Sequence, residues 1–258
     1  MSIQIIQHDW SKPLTVHDAK LVFADPPYNQ GVGYEDDPTH DRMKDHDFQI
    51  ATATWIQNIQ WTVAPGGTLW WMCPERHGDY VGTCLTQLGW PRVHRIVWHE
   101  TFAQYQQKQL TDDYRFIFCH MRPVVNDVEK WGKDCLTFNP DAIREPSRRQ
   151  ELGDARADPR GRVPGRVWNV RRLQGTSRDR VDWHPTQLAP ELLTRIVRGW
   201  SNPGDLVVDA FAGSGNMGIV CHQEKRDVVL IDRSKTYCEQ MEKRLRERYP
   251  CEVEIQRG

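Results

Sequence analysis

The sequence predicts an α/β fold with a largely parallel sheet, and three observations lead to it. Short apolar runs alternate with segments of helical periodicity, first from residue 3 to residue 119 and again after residue 184. One run, Leu21-Val22-Phe23-Ala24, ends in the rigid turn Asp25-Pro26-Pro27-Tyr28. Another, Leu206-Val207-Val208-Asp209, leads through Ala210-Phe211-Ala212 into the glycine turn Gly213-Ser214-Gly215. At 258 residues the chain can bury a full core and reads as one domain carrying an inserted segment.

Taken in order, Ile3, Ile5 and Ile6 open the sheet and lead to Asp9, with the Leu21 run following too soon for a long helix between them. The loop 29–34 and the acidic segment through Asp47 are expected as surface loop beside the Asp25 turn. Ile50, Ala53, Ile56 and Val63 mark a helix over residues 48–63, stopped by Pro65-Gly66-Gly67. A buried strand follows at 68–72, then a helix at 75–88 ended by Gly89, then a strand at 93–98. Residues 114–119 form the last strand of this half. The glutamine-rich loop 104–109 before it predicts a hairpin, which gives the sheet an antiparallel edge. In the last third, Leu192, Leu193, Ile196 and Val197 line one side of a helix over 190–200, and Asn202-Pro203-Gly204 turns it into the strand 206–209. A helix opens at Asn216, a strand over 228–231 ends in Asp232, and a long charged helix covers 234–249.

Composition narrows the setting. Hydrophobic content of 38% with 27% charge suits a soluble globule, and no window approaches the ~18 apolar residues of a membrane span, so a cytoplasmic, membrane-free protein is expected. Seven cysteines without a Cys-x-x-Cys pair read as reduced thiols, several of them buried. Ten histidines without His-Glu-x-x-His give no reason to expect a metal. Between residues 123 and 184 turn residues and arginine replace periodicity: residues 144–180 hold eleven arginines against five acids, a net of +6 in a chain whose total is −1. Arginine's planar fork suits phosphates and guanine edges, and Trp168, Trp183 and the Pro-Gly turns argue against a disordered linker, so this segment is expected to face nucleic acid.

Two motifs carry chemistry. Two prolines in a row fix φ near −65° and remove two backbone donors, so the Asp25 turn is a corner of acceptors suited to a substrate that donates hydrogens. An exocyclic amino group of adenine or cytosine is such a substrate. If Asp25 and the Pro26 carbonyl each accept one of its hydrogens, the nitrogen lone pair is aimed at an electrophile while Tyr28 offers a flat face to the base. In the second motif the glycines let backbone approach a ligand, and Asp232, about twenty residues on, can accept both hydroxyls of a ribose.

These residues resemble the S-adenosylmethionine-dependent DNA amino-methyltransferases. Asp25-Pro26-Pro27-Tyr28 resembles their catalytic motif and Phe211-Ala212-Gly213-Ser214-Gly215 their cofactor motif. The catalytic motif comes first with the insert between, as in the permuted beta group. His184-Pro185-Thr186-Gln187 resembles that group's third cofactor-lining segment, and Trp168 to Arg172, Gly175 and Arg180 the run leading into it. The chain departs from the pattern at Leu188 and Ala189, at Ala210 and at Asn216, which stands where members often carry Thr.

The resemblance implies a Rossmann-like methyltransferase fold and S-adenosyl-L-methionine as cofactor, held by Asp9, His184, Pro185, Thr186, Phe211, Gly213, Ser214, Gly215, Asn216 and Asp232. It implies Asp25, Pro26, Pro27 and Tyr28 as catalytic residues and no metal. Double-stranded DNA is the implied partner, met by Arg148, Arg149, Arg166, Trp168, Arg171, Arg172 and Arg180; a homodimer and a cognate restriction enzyme are compatible with it. Residues 1–122 would be the catalytic half, 123–183 the target-recognition insert and 184–258 the cofactor half. The implied reaction is methyl transfer to the N6 amino group of a flipped-out adenine, with N4 of cytosine the alternative. An RNA or protein-glutamine methyltransferase, a nucleotide-dependent oxidoreductase and a non-catalytic DNA-binding protein stand behind these readings.

Overall fold

The structure, a computed structural model, describes all residues except 35–38, 40, 101–106, 109, 125–134, 174, 176, 178, 251, 257 and 258. The described strands are β1 (Ile3–Gln7), β2 (Ala19–Ala24), β3 (Val63–Pro74), β4 (Arg92–His99), β5 (Tyr114–Met121), β6 (Val167–Asn169), β7 (Leu206–Asp209), β8 (Asp227–Asp232) and β9 (Val253–Gln256). They form one sheet in the order β6-β4-β5-β3-β2-β7-β8-β1-β9. β5 runs antiparallel to β3 and β4, and the other described pairings are parallel. The described helices are α1 (Asp45–Ile59), α2 (Gly78–Gln87), α3 (Arg148–Glu151), α4 (Pro190–Trp200), α5 (Asn216–Gln223) and α6 (Lys235–Arg248).

Apolar side chains on both faces of the sheet explain the unbroken apolar runs of the sequence. In β2, Leu21 and Phe23 point into one core with Leu192, Ile196, Val220 and Met241 of α4, α5 and α6. Val22 and Ala24 point into the other, with Ile56 and Ile59 of α1 and Val81 and Leu85 of α2. Neighbouring Trp70 and Trp71 divide the same way. α4 begins with Pro190 in its first turn, where the missing N–H costs nothing, and buries Leu192, Leu193, Ile196 and Val197, each contributing ~1.5–3 kcal/mol. α6 begins at Ser234, whose hydroxyl accepts the Tyr237 amide at 2.9 Å.

The expected hairpin is β4–β5, but antiparallel β5 lies inside the sheet, between β3 and β4, and β6, parallel to β4, forms the edge. The Val97 amide donates to the Arg166 carbonyl at 2.8 Å, and Trp168, 2% exposed, stacks toward Trp70 and Trp200, drawing residues 167–169 onto the edge. β6 and, at the other edge, β9 are strands the sequence pattern does not announce. The acidic segment is more than surface loop: Asp41 is buried, and its carboxylate accepts the amides of Asn29 (2.7 Å), Gln30 (3.2 Å) and Val32 (2.6 Å). Most of the glutamine-rich loop lies outside the described residues. Among the described residues, no helix is long and apolar enough to cross a membrane.

Candidate active site

The carboxyl ends of β2, β7 and β8, adjacent and parallel, open onto one cleft that both motifs line. In its first half the Tyr28 hydroxyl donates to Asp25 Oδ1. Burial pushes the Asp25 carboxyl up to about 7, against the opposing pull of the Tyr28 hydrogen bond and the Arg115 guanidinium, and the charge of Glu100 adds to the rise. The same burial holds the Tyr28 hydroxyl well above its ordinary value. Arg115 lies 5.9 Å from the Tyr28 ring centre and is fixed by Asp112 (3.2 Å) and the Tyr114 carbonyl (2.7 Å). The turn itself is anchored from outside, where the Tyr28 carbonyl meets Arg76 Nη2 at 2.9 Å and His77 Nε2 at 3.0 Å.

One residue past β4, Glu100 is 4% exposed and lines the same cleft. Arg115 Nε stands 3.7 Å from its Oε1 and Arg172 Nη1 3.4 Å from its Oε2, yet Oε2 makes no hydrogen bond. Burial raises the Glu100 carboxyl in spite of both arginines.

The glycine turn forms the second half and is tied to its neighbours strand by strand. The Ala210 amide donates to Phe23 (2.8 Å), the Ala212 amide to Ile231 (2.9 Å), and the Trp10 indole to the Ala210 carbonyl (2.6 Å). Gly213 sits at φ +49°, its amide donating to Asp232 Oδ2 at 2.9 Å; a side chain there would strike the His184 ring at 2.6 Å. Asp232 Oδ1 accepts the Ser234 amide at 2.9 Å. His184 packs edge-on to Tyr237 with centres 4.8 Å apart, and burial lowers its imidazole to about 4, which keeps it neutral. Phe211 meets Trp55 edge-on at 5.5 Å. Thr186 faces the Tyr34 hydroxyl at 3.5 Å, and Asp9 sits on the rim with its carboxylate accepting the Ser11 amide at 2.8 Å. Asp209, 5% exposed, accepts the Phe211 amide at 3.2 Å; burial, with the nearby Asp25 charge, raises it to about 8.

The structure thus gathers Asp9, Asp25, Pro26, Pro27, Tyr28, His184, Thr186, Phe211, Gly213, Ser214, Asn216 and Asp232 around one cleft. Others have different work. Gly215 begins α5 at φ +76°, packed on Met241, and Pro185 turns its carbonyl to Arg180 at 2.9 Å. Asn216 ties α5 to the preceding segment: its oxygen accepts from Gln187 (3.0 Å) and Arg244 (2.8 Å), and its nitrogen donates to Leu188 (2.8 Å). Trp168 is core, with its indole bonded to Gly165 and Arg195 over its ring, and has no face for DNA. Arg172 turns into the cleft. Arg148, Arg149, Arg166 and Arg171 are exposed and, among the described residues, without an acidic partner, whereas Arg156, Arg160 and Arg162 pair with Asp154, Asp158 and Glu145. Tyr34, Glu100, Arg115 and Tyr237 join the cleft without having been singled out in the sequence. Glu100 alone left a signal, since it follows an apolar strand as Asp25 and Asp232 do.

The second half fits a cationic nucleoside. Asp232 offers carboxylate oxygens able to accept from ribose hydroxyls, aromatic rings flank the turn, and Asp9, Asp25 and Asp209 line the same space. Residues 19–243 match the DNA methylase family of N6/N4 type. The chain belongs to that family. Its cofactor is S-adenosylmethionine. This methylase is 30% identical over 237 residues to the type II methyltransferase M.HpaI of Haemophilus parainfluenzae, spanning 91% of this chain and 70% of that one. It is 28% identical over 237 residues to the DNA adenine methyltransferase YhdJ of Escherichia coli K12, spanning 88% and 76%. The fold is shared with the M1.HpyAVI–SAM complex, with a TM-score of 0.66 at 20% identity over 94% of this chain and 98% of that one. It is also shared with the cytosine-N4-specific PvuII DNA methyltransferase, with a TM-score of 0.56 at 12% identity over 88% and 80%.

Proposed function

We propose that this DNA methylase transfers a methyl group to the N6 amino group of an adenine extruded from duplex DNA. The observation that carries the reading is the adjacency of the two motifs, since the acceptor turn ends β2, the glycine turn follows β7, and Ala210 hydrogen-bonds Phe23 directly. A base inside a duplex cannot reach this cleft, so it is flipped out at ~a few kcal/mol of lost stacking. Asp25 and the Pro26 carbonyl each accept one amino hydrogen. The Tyr28 hydroxyl holds the Asp25 carboxylate in place for this. When bound, S-adenosylmethionine supplies an electrophilic methyl group on its sulfonium. Asp232 orients the donor's ribose, and the backbone at Gly213 and Ser214 allows close approach. Aligning the amino nitrogen with the methyl contributes on the order of 7 kcal/mol or more, and Asp25 stabilises the positive charge that grows on that nitrogen.

The choice of adenine is supported by the Asp that opens the catalytic motif, which in this family accompanies adenine more often than cytosine, and by the name of the relative YhdJ. In the same reading residues 1–122 and 184–258 form the catalytic and cofactor halves, and 123–183 carry target recognition. The test is to incubate duplex DNA with the protein and the methyl donor, digest it to nucleosides and separate them by mass spectrometry. N6-methyladenine is expected; N4-methylcytosine as sole product would overturn the base assignment, and no methylated base would overturn the reaction.

A further inference from the structure

Resting on that reading, the cleft also holds a group for the ring of the base. With both amino hydrogens accepted by Asp25 and Pro26, the atom next to the amino-bearing carbon that still asks for a partner is a ring nitrogen, an acceptor in both adenine and cytosine. A donor is needed beside the Asp25 turn. We infer that Glu100 is that donor, and that its carboxyl group hydrogen-bonds N1 of an extruded adenine, or N3 of a cytosine, and so selects bases with an unprotonated ring nitrogen there.

Position supports this first. β4 runs in the same direction as β2, so Glu100, one residue beyond it, stands on the side of the sheet where Asp25 stands. Glu100 lines the same cleft as Asp25. Its polar state comes second. Buried carboxyl oxygens are almost always hydrogen-bonded, and one left unsatisfied costs stability. Glu100 Oε2 is buried and unbonded, because Arg172, 3.4 Å away, is not aligned to donate to it, and Arg115 stands on the other oxygen, 3.7 Å from Oε1. Chemistry decides the protonation. An ionised carboxylate would repel the ring nitrogen, whereas burial already raises this group above its ordinary value, and a base laid over it removes more water. A carboxylic acid kept neutral by its site donates a hydrogen bond well. The arginines serve this role less well. Arg115 is engaged by Asp112 and Tyr114, and Arg172 is 49% exposed at the rim.

The test compares two synthetic duplexes carrying the mapped methylation site, one with the natural base and one with its deaza analogue, 1-deazaadenine or 3-deazacytosine, which keeps the amino group and loses the ring nitrogen. Wild-type protein should lose about tenfold in kcat/KM on the analogue, the loss of one hydrogen bond. Glu100→Ala should treat the two duplexes alike within about twofold, while Glu100→Gln, whose amide also donates, keeps the preference. Glu100→Met, of similar volume and without a donor, repeats the alanine experiment should the cavity impair folding, and calorimetry with S-adenosylmethionine verifies that each variant is folded. A merely structural Glu100 would alter rates on both duplexes equally. A preference as large in the alanine and methionine variants as in wild type, or absent in the glutamine variant, overturns the inference and leaves methyl transfer standing. Absence of product from wild type on the natural duplex overturns both.

Discussion

At Asp25, burial and two opposing partners leave a carboxyl that titrates near neutral pH, at about 7. The ionised form accepts the amino hydrogens best, so kcat/KM for methyl transfer should rise as pH rises through that value. Arg115 favours the charged form, and Arg115→Met should therefore move the rise to higher pH, read from pH-rate profiles of the two proteins. A profile that stays in place would show that Asp25 is not the titrating group. Asp25→Asn should lose on the order of a hundredfold in rate or more while S-adenosylmethionine affinity, measured by calorimetry, holds, because the side chain faces the base and not the donor.

The elements of the insert divide its arginines into two kinds. Those at 156, 160 and 162 are neutralised by acids beside them, while Arg148 and Arg149 stand exposed on α3, a single turn held by the Ser147–Gln150 capping box. Replacing Arg148 and Arg149 together by Ala should weaken DNA binding and flatten its salt dependence by about one unit of slope for each phosphate no longer neutralised. Replacing Arg156 and Arg160 should change the slope less. Equal slopes in all three proteins across a salt series would mean that α3 does not face DNA. The same segment shows where sequence reading stops. Long periodic segments such as α4 were legible to within a few residues, because their apolar spacing reflects faces they must bury in any arrangement, whereas Pro65-Gly66-Gly67, which reads as the stop after a helix, lies inside β3, which already begins at Val63. Val167-Trp168-Asn169 has no such spacing, and its pairing with β4 depends on a partner some seventy residues away in sequence. A tryptophan among arginines suits a DNA surface as well as a core; the aromatic neighbours that decide, Trp70 and Trp200, are far apart in the chain. Asp41 and Glu100 are likewise single acids whose burial only the folded loops create.

On the scale of the whole molecule, β6 and Trp168 join the insert to the sheet and to one continuous core. Calorimetric unfolding should therefore show one transition, with no separate melting of residues 135–183, and Trp168→Ala should shift all of it, at about 3–5 kcal/mol. Two resolved transitions in the wild-type protein would contradict this. The order of the strands also has a consequence for synthesis. β2, which presents Asp25, pairs on one side with β3 but on the other with β7, beginning at Leu206. While a ribosome makes the 181 residues between, that edge of Leu21, Val22 and Phe23 has no native neighbour, and an apolar strand edge left open is a template for pairing with other chains. Pairing with β7 closes that edge, and the hydrogen bond from Ala210 to Phe23 sets the acceptor turn beside the glycine turn, so the step that shields the strand also brings the two motifs together.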